Sequence, residues 1–233
     1  MEPPITQAII LAGGRAERMR PYSDAMPKAL MPIGGLAMIT RQLLHLERNG
    51  IVHVVISSHY QHRKISEHVG GGSPYALNVR HAVDPYPLGT AGAVRYAHQA
   101  LEDPARPFLV VNGSVSTDMP LVPFFERHAQ ARASATMALV RYTSERPVAM
   151  ESDNGRIRAL PKVQLLPYWT DSGLTVLQPY TVKMLPEVGE ITDMFETVAA
   201  EGLLAAYHAP DEVFWRELAT VGDLYTYPDS PDG

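Results

Sequence analysis

The sequence predicts an α/β fold of three layers: a mostly parallel sheet with helices on both faces, joined late in the chain by a small antiparallel lobe. Three observations carry this expectation. Short β-branched runs such as AIILA (Ala8–Ala12) are apolar throughout, as strands buried on both faces must be. Segments with helical spacing separate them, in a strand-helix-strand-helix rhythm that right-handed crossovers close into parallel pairs. An Asp-Asn-Gly turn at 153–155 then breaks the rhythm and marks a hairpin.

Taken in order, AIILA runs into Gly13-Gly14, a strand followed by a loop. MITRQLLHLERNG (Met38–Gly50) sets Ile39, Leu43, Leu44 and Leu46 near one face of a helix and stops at Gly50. VHVVISS (Val52–Ser58) is a second buried strand, HRKISEHVGGG a short helix halted by glycines, and LNVRHAV (Leu77–Val83) an alternating strand. TAGAVRYAHQAL (Thr90–Leu101) reads as a helix, and FLVVNG, from Phe108, as the third strongly buried strand. ASATMALVRY (Ala133–Tyr142) continues the pattern, VAMESDNGRIRAL supplies the hairpin, and SGLTVLQP (Ser172–Pro179) returns to the core. The tail VFWRELATVGDLYTY combines an apolar entry, a polar loop and a final helix before a fraying PDSPDG end. With no internal repeat or low-complexity linker, the expectation is one domain over residues 1–233.

Composition narrows the function classes. Twenty Lys and Arg against 25 Asp and Glu give a net charge of −5, which offers no electrostatic reason for a nucleic-acid or membrane-surface partner. An anionic ligand must then be held by a few local cations and backbone N–H groups. The absence of cysteine excludes disulfides, thiolate metal sites and a cysteine nucleophile. The start MEPPITQAIILAGG lacks the basic region of a signal peptide, and no apolar run has membrane-spanning length, so a cytoplasmic location is expected.

Chemistry concentrates in LAGGRAERMRPYSDAMPKALMPIGG, Leu11–Gly35. A glycine pair directly after a buried strand lets backbone N–H groups approach a polyphosphate, and Arg15, Arg18, Arg20 and Lys28 place cations beside it. This stretch resembles the signature of the sugar-phosphate nucleotidyltransferases. PLGTAGAV (Pro87–Val94), VVNGSVSTD, SGLTVLQP and FWRELATVGDL resemble further motifs of that family, in its order and across nearly the whole chain. The length is similar to its compact branch, which contains the heptose 1-phosphate guanylyltransferases and the muramate 1-phosphate uridylyltransferase.

The resemblance implies a Rossmann-like nucleotide-diphospho-sugar transferase fold in which the antiparallel lobe binds the sugar. It implies an enzyme that condenses a nucleoside triphosphate with a sugar 1-phosphate and releases pyrophosphate, using Mg²⁺ or Mn²⁺; with the family's metal aspartates replaced in this chain, the ion would be carried largely by the triphosphate. GTP is the first expectation, from similarity to the heptose and mannose guanylyltransferases. Arg18 and Lys28 would be catalytic, Arg18 toward the triphosphate and the departing pyrophosphate, Lys28 toward the α-phosphate and the sugar phosphate. The nucleotide would lie on Leu11, Ala12, Gly13, Gly14, Arg15, Gly89 and Asn112. Lys162 would bind the sugar phosphate, or serve only as an exposed hairpin lysine. Ser172 and Gly173, with Asp171, would line the sugar side, or Ser172-Gly173 would only bend the chain into a strand.

Four departures cluster at one edge of the sheet. Where the family holds its metal with two aspartates, this chain has Ser114 and Glu217; Ala16 and Ala219 replace two signature glycines. A serine hydroxyl is neutral and a weaker ligand for a hard divalent cation than a carboxylate. Asp118 would be an outer-shell substitute or a helix cap. The rival reading is a catalytically weakened homologue that binds nucleotide or sugar phosphate, or a non-catalytic subunit. A dinucleotide-binding oxidoreductase is discounted because GGRAER is not G-x-G-x-x-G and no acid ends the second strand.

Overall fold

A computed structural model describes residues 5–144, 149–150, 157–159 and 164–226, with side chains outside 142–167. The chain opens with β1 (Gln7–Leu11), a short α1 (Tyr22–Ala25), the two-residue strands β2 (Pro32–Ile33) and β3 (Leu36–Ala37), and α2 (Met38–Arg48). Then follow β4 (His53–Ser58), α3 (His62–Val69), β5 (Asn78–Val83), α4 (Gly89–His98), β6 (Phe108–Asn112), β7 (Val115–Thr117) and α5 (Leu121–Ala131). The second half holds β8 (Ala135–Ser144), β9 (Ala149–Met150), β10 (Ile157–Ala159), β11 (Gln164–Leu177), α6 (Thr192–Ala200), β12 (Leu204–His208), β13 (Trp215–Glu217) and α7 (Val221–Thr226).

Seven strands form one sheet in the order β12-β8-β11-β6-β1-β4-β5. All run parallel except β11, which is antiparallel to both β6 and β8. Alternation along the strands divides the core into two layers. Ala8, Ile10, Val54, Ile56, Leu109 and Val111 pack with Ile39, Leu43 and Leu46 of α2, Ile65 of α3 and Phe124 of α5. Ile9, Val55, Phe108 and Val110 face the other way, onto Ala91 and Val94 of α4 and Met194, Phe195 and Val198 of α6. Burying each large side chain contributes about 1.5–3 kcal/mol, which is why the central strands β1, β4 and β6 are apolar between their ends.

Two expectations are corrected in detail. The return strand begins at Gln164, well before Ser172, because it pairs with β8 along most of its length; Pro167 hides the earlier half from a pattern reading. Asp118 caps no helix. The first N–H of α5, at Leu121, is accepted at 2.8 Å by Asn49 Oδ1, at the end of α2. The Asp118 carboxylate instead accepts the Phe214 N–H at 2.8 Å, tying the entry of β13 to the end of β7. The Asp-Asn-Gly turn lies outside the described residues, while β9 and β10, on either side of it, pair antiparallel as expected. Among the described residues no helix is long and apolar enough to cross a membrane.

Candidate functional site

A cavity of about 410 Å³ opens at the carboxyl edge of the parallel strands. One wall is the loop leaving β1: Leu11, Ala12, Gly13 and Gly14 all line it. The loop is pinned by backbone bonds, Ala12 N–H to Ser57 O at 2.8 Å and Tyr60 N–H to Gly13 O at 3.3 Å. The opposite wall is the start of α4. There Gly89 has a φ of +71°, and a β-carbon on it would fall 2.3 Å from Gly189 O, so no side chain fits where the turn crosses the segment before α6. Thr90 fastens the same crossing, donating to Glu190 at 2.7 Å and accepting from the Ile191 N–H at 2.8 Å.

Between these walls stands a residue that the sequence reading passed over. Asp84, one residue past β5, is buried, and its carboxylate accepts the Ser57 hydroxyl at 3.0 Å. It lines the cavity opposite the glycine loop: a β-carbon on Gly13 would stand 3.3 Å from Asp84 Oδ2. Burial raises its pKa above the usual aspartate value, while the Ser57 hydroxyl and nearby His59 pull the other way. The signal for it in the sequence is an acid directly after an alternating strand, in HAVDPYPLG, one strand later than the dinucleotide-binding pattern places it.

Toward the far end of the cavity lies the corner around Ser114. Pairing of β13 with β7 brings Glu217 beside it, with Leu218 N–H donating to Ser114 O at 2.7 Å. The Ser114 hydroxyl lies 2.8 Å from Asn112 Oδ1 and 3.3 Å from Glu217 Oε1, so its one proton serves either acceptor. Asn112 also accepts the Ser114 N–H at 3.1 Å, which turns its amide toward this corner. Lys28 lines the cavity and donates to Leu218 O at 3.2 Å. Burial holds its pKa below the usual lysine value; Glu217 opposes the shift, Arg18 reinforces it and Asp223 opposes it. The tail thus sets the charge environment of a lysine 190 positions earlier.

The remaining expected residues fall into place unevenly. Asn112, Gly173 and Ser114 line the cavity with Lys28 and Gly89. Arg15 and Arg18 are exposed and do not line the cavity, Arg15 lying over the Tyr60 ring at 5.8 Å. Ser172 is buried, its hydroxyl accepting the Leu174 N–H at 3.3 Å and its carbonyl accepting the Trp215 indole N–H at 2.8 Å, so it braces the wall and offers no hydroxyl to a ligand. Its neighbour Asp171 does line the cavity. Asp118 does not: it borders a second cavity of about 320 Å³ beneath α2. Lys162 lies outside the described residues. Ala16 adopts the left-handed φ of +51° that the signature glycine would favour.

The family model described as "Nucleotidyl transferase" matches residues 7–229. The chain belongs to the nucleotidyl transferase family. Within the family it is 27% identical over 226 residues to a mannose-1-phosphate guanylyltransferase of Mycobacterium tuberculosis, covering 93% of this chain and 62% of that one. It is 39% identical over 121 residues to the N-acetylmuramate alpha-1-phosphate uridylyltransferase of Neisseria meningitidis serogroup B, over 52% of each chain. The chain therefore spans between half and two thirds of the length of these curated relatives. The crystal structure of HddC from Yersinia pseudotuberculosis with GMP-PN shares the fold, with a TM-score of 0.73 at 19% identity over 96% of this chain and 98% of that one.

Proposed function

We propose that residues 1–233 act as one sugar-1-phosphate nucleotidyltransferase domain, taking GTP and a sugar 1-phosphate to a nucleoside-diphosphate sugar and pyrophosphate. The observation that carries this is the convergence in one cavity of the glycine loop, Lys28 and the Ser114 corner. Similarity to guanylyl- and uridylyltransferases supports the reaction class. Asp84 supports the base. Guanine presents two adjacent N–H donors on one edge, which a buried carboxylate accepts together, whereas uracil presents one donor between two carbonyls that the same carboxylate repels.

The reaction is an in-line displacement. An oxygen of the sugar phosphate forms a bond to the α-phosphorus as the bond to the β-phosphate bridge breaks, and pyrophosphate leaves with the electron pair. The attacking phosphate is already anionic, so no general base is required. This chain's part is positioning and neutralisation. Backbone N–H groups of the glycine loop and the guanidinium groups of Arg15 and Arg18 hold the triphosphate. Lys28 stands between the α-phosphate and the incoming phosphate, and Gly89 admits the base without a side chain. Lys162 is assigned to the sugar phosphate.

The donors at the Ser114 corner, the Glu217 carboxylate, the serine hydroxyl and the Asn112 amide oxygen, are hard oxygens of the kind Mg²⁺ or Mn²⁺ takes. Such an ion, when bound, would add charge neutralisation at the phosphates. Among the described residues no three acidic or histidine side chains converge as a metal cluster, which supports a cation brought largely by the nucleotide. The test is pyrophosphate release from each nucleoside triphosphate paired with a panel of sugar 1-phosphates. Release is expected with GTP. Tight nucleotide binding with no release from any pair would overturn the reading in favour of a binding protein.

A further inference from the structure

Helix α2 buries Met38, Ile39, Leu43 and Leu46, and among these apolar side chains stands Gln42, only 4% exposed. A buried amide is costly unless it is bonded, so its partners show what the position is for. Gln42 Nε2 donates to Asn112 O at 2.9 Å and to Val115 O at 2.8 Å, one N–H for each carbonyl. Gln42 Oε1 is buried with no hydrogen-bond partner among the described residues, and turning the amide over would set that oxygen against the same two carbonyls. The position thus holds two donors in place while leaving its own acceptor unmatched.

The two carbonyls belong to the residues on either side of Gly113-Ser114, where β6 ends and β7 begins. The residues between them are held as well. Gly113 N–H donates to Leu11 O at 3.0 Å, and a β-carbon on Gly113 would fall 2.2 Å from that oxygen, so the turn sits tight against the end of β1. Ser114 O accepts the Leu218 N–H at 2.7 Å. Asn112 and Ser114 line the candidate site, whereas Gln42 lines the second cavity, beneath α2. It grips both ends of the turn without itself lining the site.

We propose that Gln42 is a positioning residue: its amide spans the Asn112–Val115 turn and fixes where the Asn112 amide and the Ser114 hydroxyl stand in the cavity. It meets no substrate and acts through those two side chains. The inference rests on the transferase reading and deepens it, since it names what supports that same site from behind.

Wild type is compared with Gln42→Met, which keeps length and apolar packing but has no N–H, and with Gln42→Glu, which has a donor only when protonated. Displacing site groups without removing them lowers kcat, so Gln42→Met releases pyrophosphate roughly 10- to 100-fold more slowly at saturating substrates, with KM for GTP within about threefold of wild type. In Gln42→Glu the rate relative to wild type rises as pH falls, because protonation returns one donor to the turn; Gln42→Met shows no such rise. The Gly113 and Ser114 amide resonances, followed by NMR, report the turn without turnover. They move in Gln42→Met, and in Gln42→Glu they return toward wild type on acidification. Resonances that stay in place in both variants overturn the proposal whatever the rates. So does an unchanged kcat, a loss confined to KM, or a Gln42→Glu rate with no recovery in acid; this last arm decides the matter alone if Gln42→Met does not fold. A wild-type chain that releases no pyrophosphate with any substrate pair sinks the transferase reading, while resonances that move as described keep Gln42 as the clamp of the turn.

Discussion

The end of the cleft proposed for the nucleotide takes its walls from Leu11–Gly14 and Gly89, where backbone does the work, with Asp84 as the buried acid between them. The corner at the other end is made of side chains, with Ser114 meeting Glu217 from 103 positions away. A backbone cradle tolerates substitution provided its turn geometry survives, as Ala16 shows by holding a left-handed φ of +51° without glycine. A charge, by contrast, belongs to one atom position, so its loss at Ser114 must be met by another side chain or not at all.

The comparison breaks most sharply at Lys28, which adjoins both ends. Lys28→Ala is expected to lower kcat about 10²–10³-fold, as loss of a pre-placed charge donor does, measured by pyrophosphate release at saturating substrates. The lysine must be protonated to act, and burial lowers its pKa, so activity should fall on the alkaline side at a lower pH than ordinary lysine titration. Lys28→Arg, whose charge persists, removes that limb whatever it does to the rate.

Asp84→Asn probes the nucleotide end alone. A charge-assisted hydrogen bond is worth about 1.5–3 kcal/mol, so GTP affinity should drop roughly 10- to 150-fold in calorimetry, with UTP affinity unchanged or improved as the repelling charge is lost. The raised pKa gives a sign as well. Protonation removes the acceptor, so wild-type GTP affinity declines as pH falls toward that pKa, starting above the range of an ordinary carboxylate, and the asparagine variant lacks this decline.

Two smaller effects concern the frame under each end. Asn49→Ala removes the acceptor for the first N–H of α5 and should cost about 1 kcal/mol, or ~3 °C in Tm by thermal unfolding. Ala16→Gly relieves a left-handed alanine at the nucleotide end but adds backbone entropy to the unfolded chain. Its net gain should stay under about 1 kcal/mol in urea unfolding.

Strands and helices were legible wherever burial imposed a period, as in AIILA, FLVVNG and the α2 face, because apolar spacing is a local record of which side faces the core. The glycine loop and Lys28 were legible because they lie close together in sequence, in one short stretch after β1. Asp84 was missed because one acid after one strand has no periodic signature. Asp118 was misassigned because a cap is recognised by proximity in sequence, and here the cap came from Asn49, 72 positions away.

From its residues alone the chain declares an α/β sheet with a glycine loop at its carboxyl edge, since each rests on side-chain period or on neighbours in sequence, and its resemblance to a family marks Ser114 and Glu217 as departures. Pairing across the sheet decided the rest. The antiparallel β11 carries Asp171 to the cavity wall, and the β7–β13 ribbon brings Glu217 beside Ser114. Strand order and register depend on which faces bury one another, and that is settled only when the whole core packs.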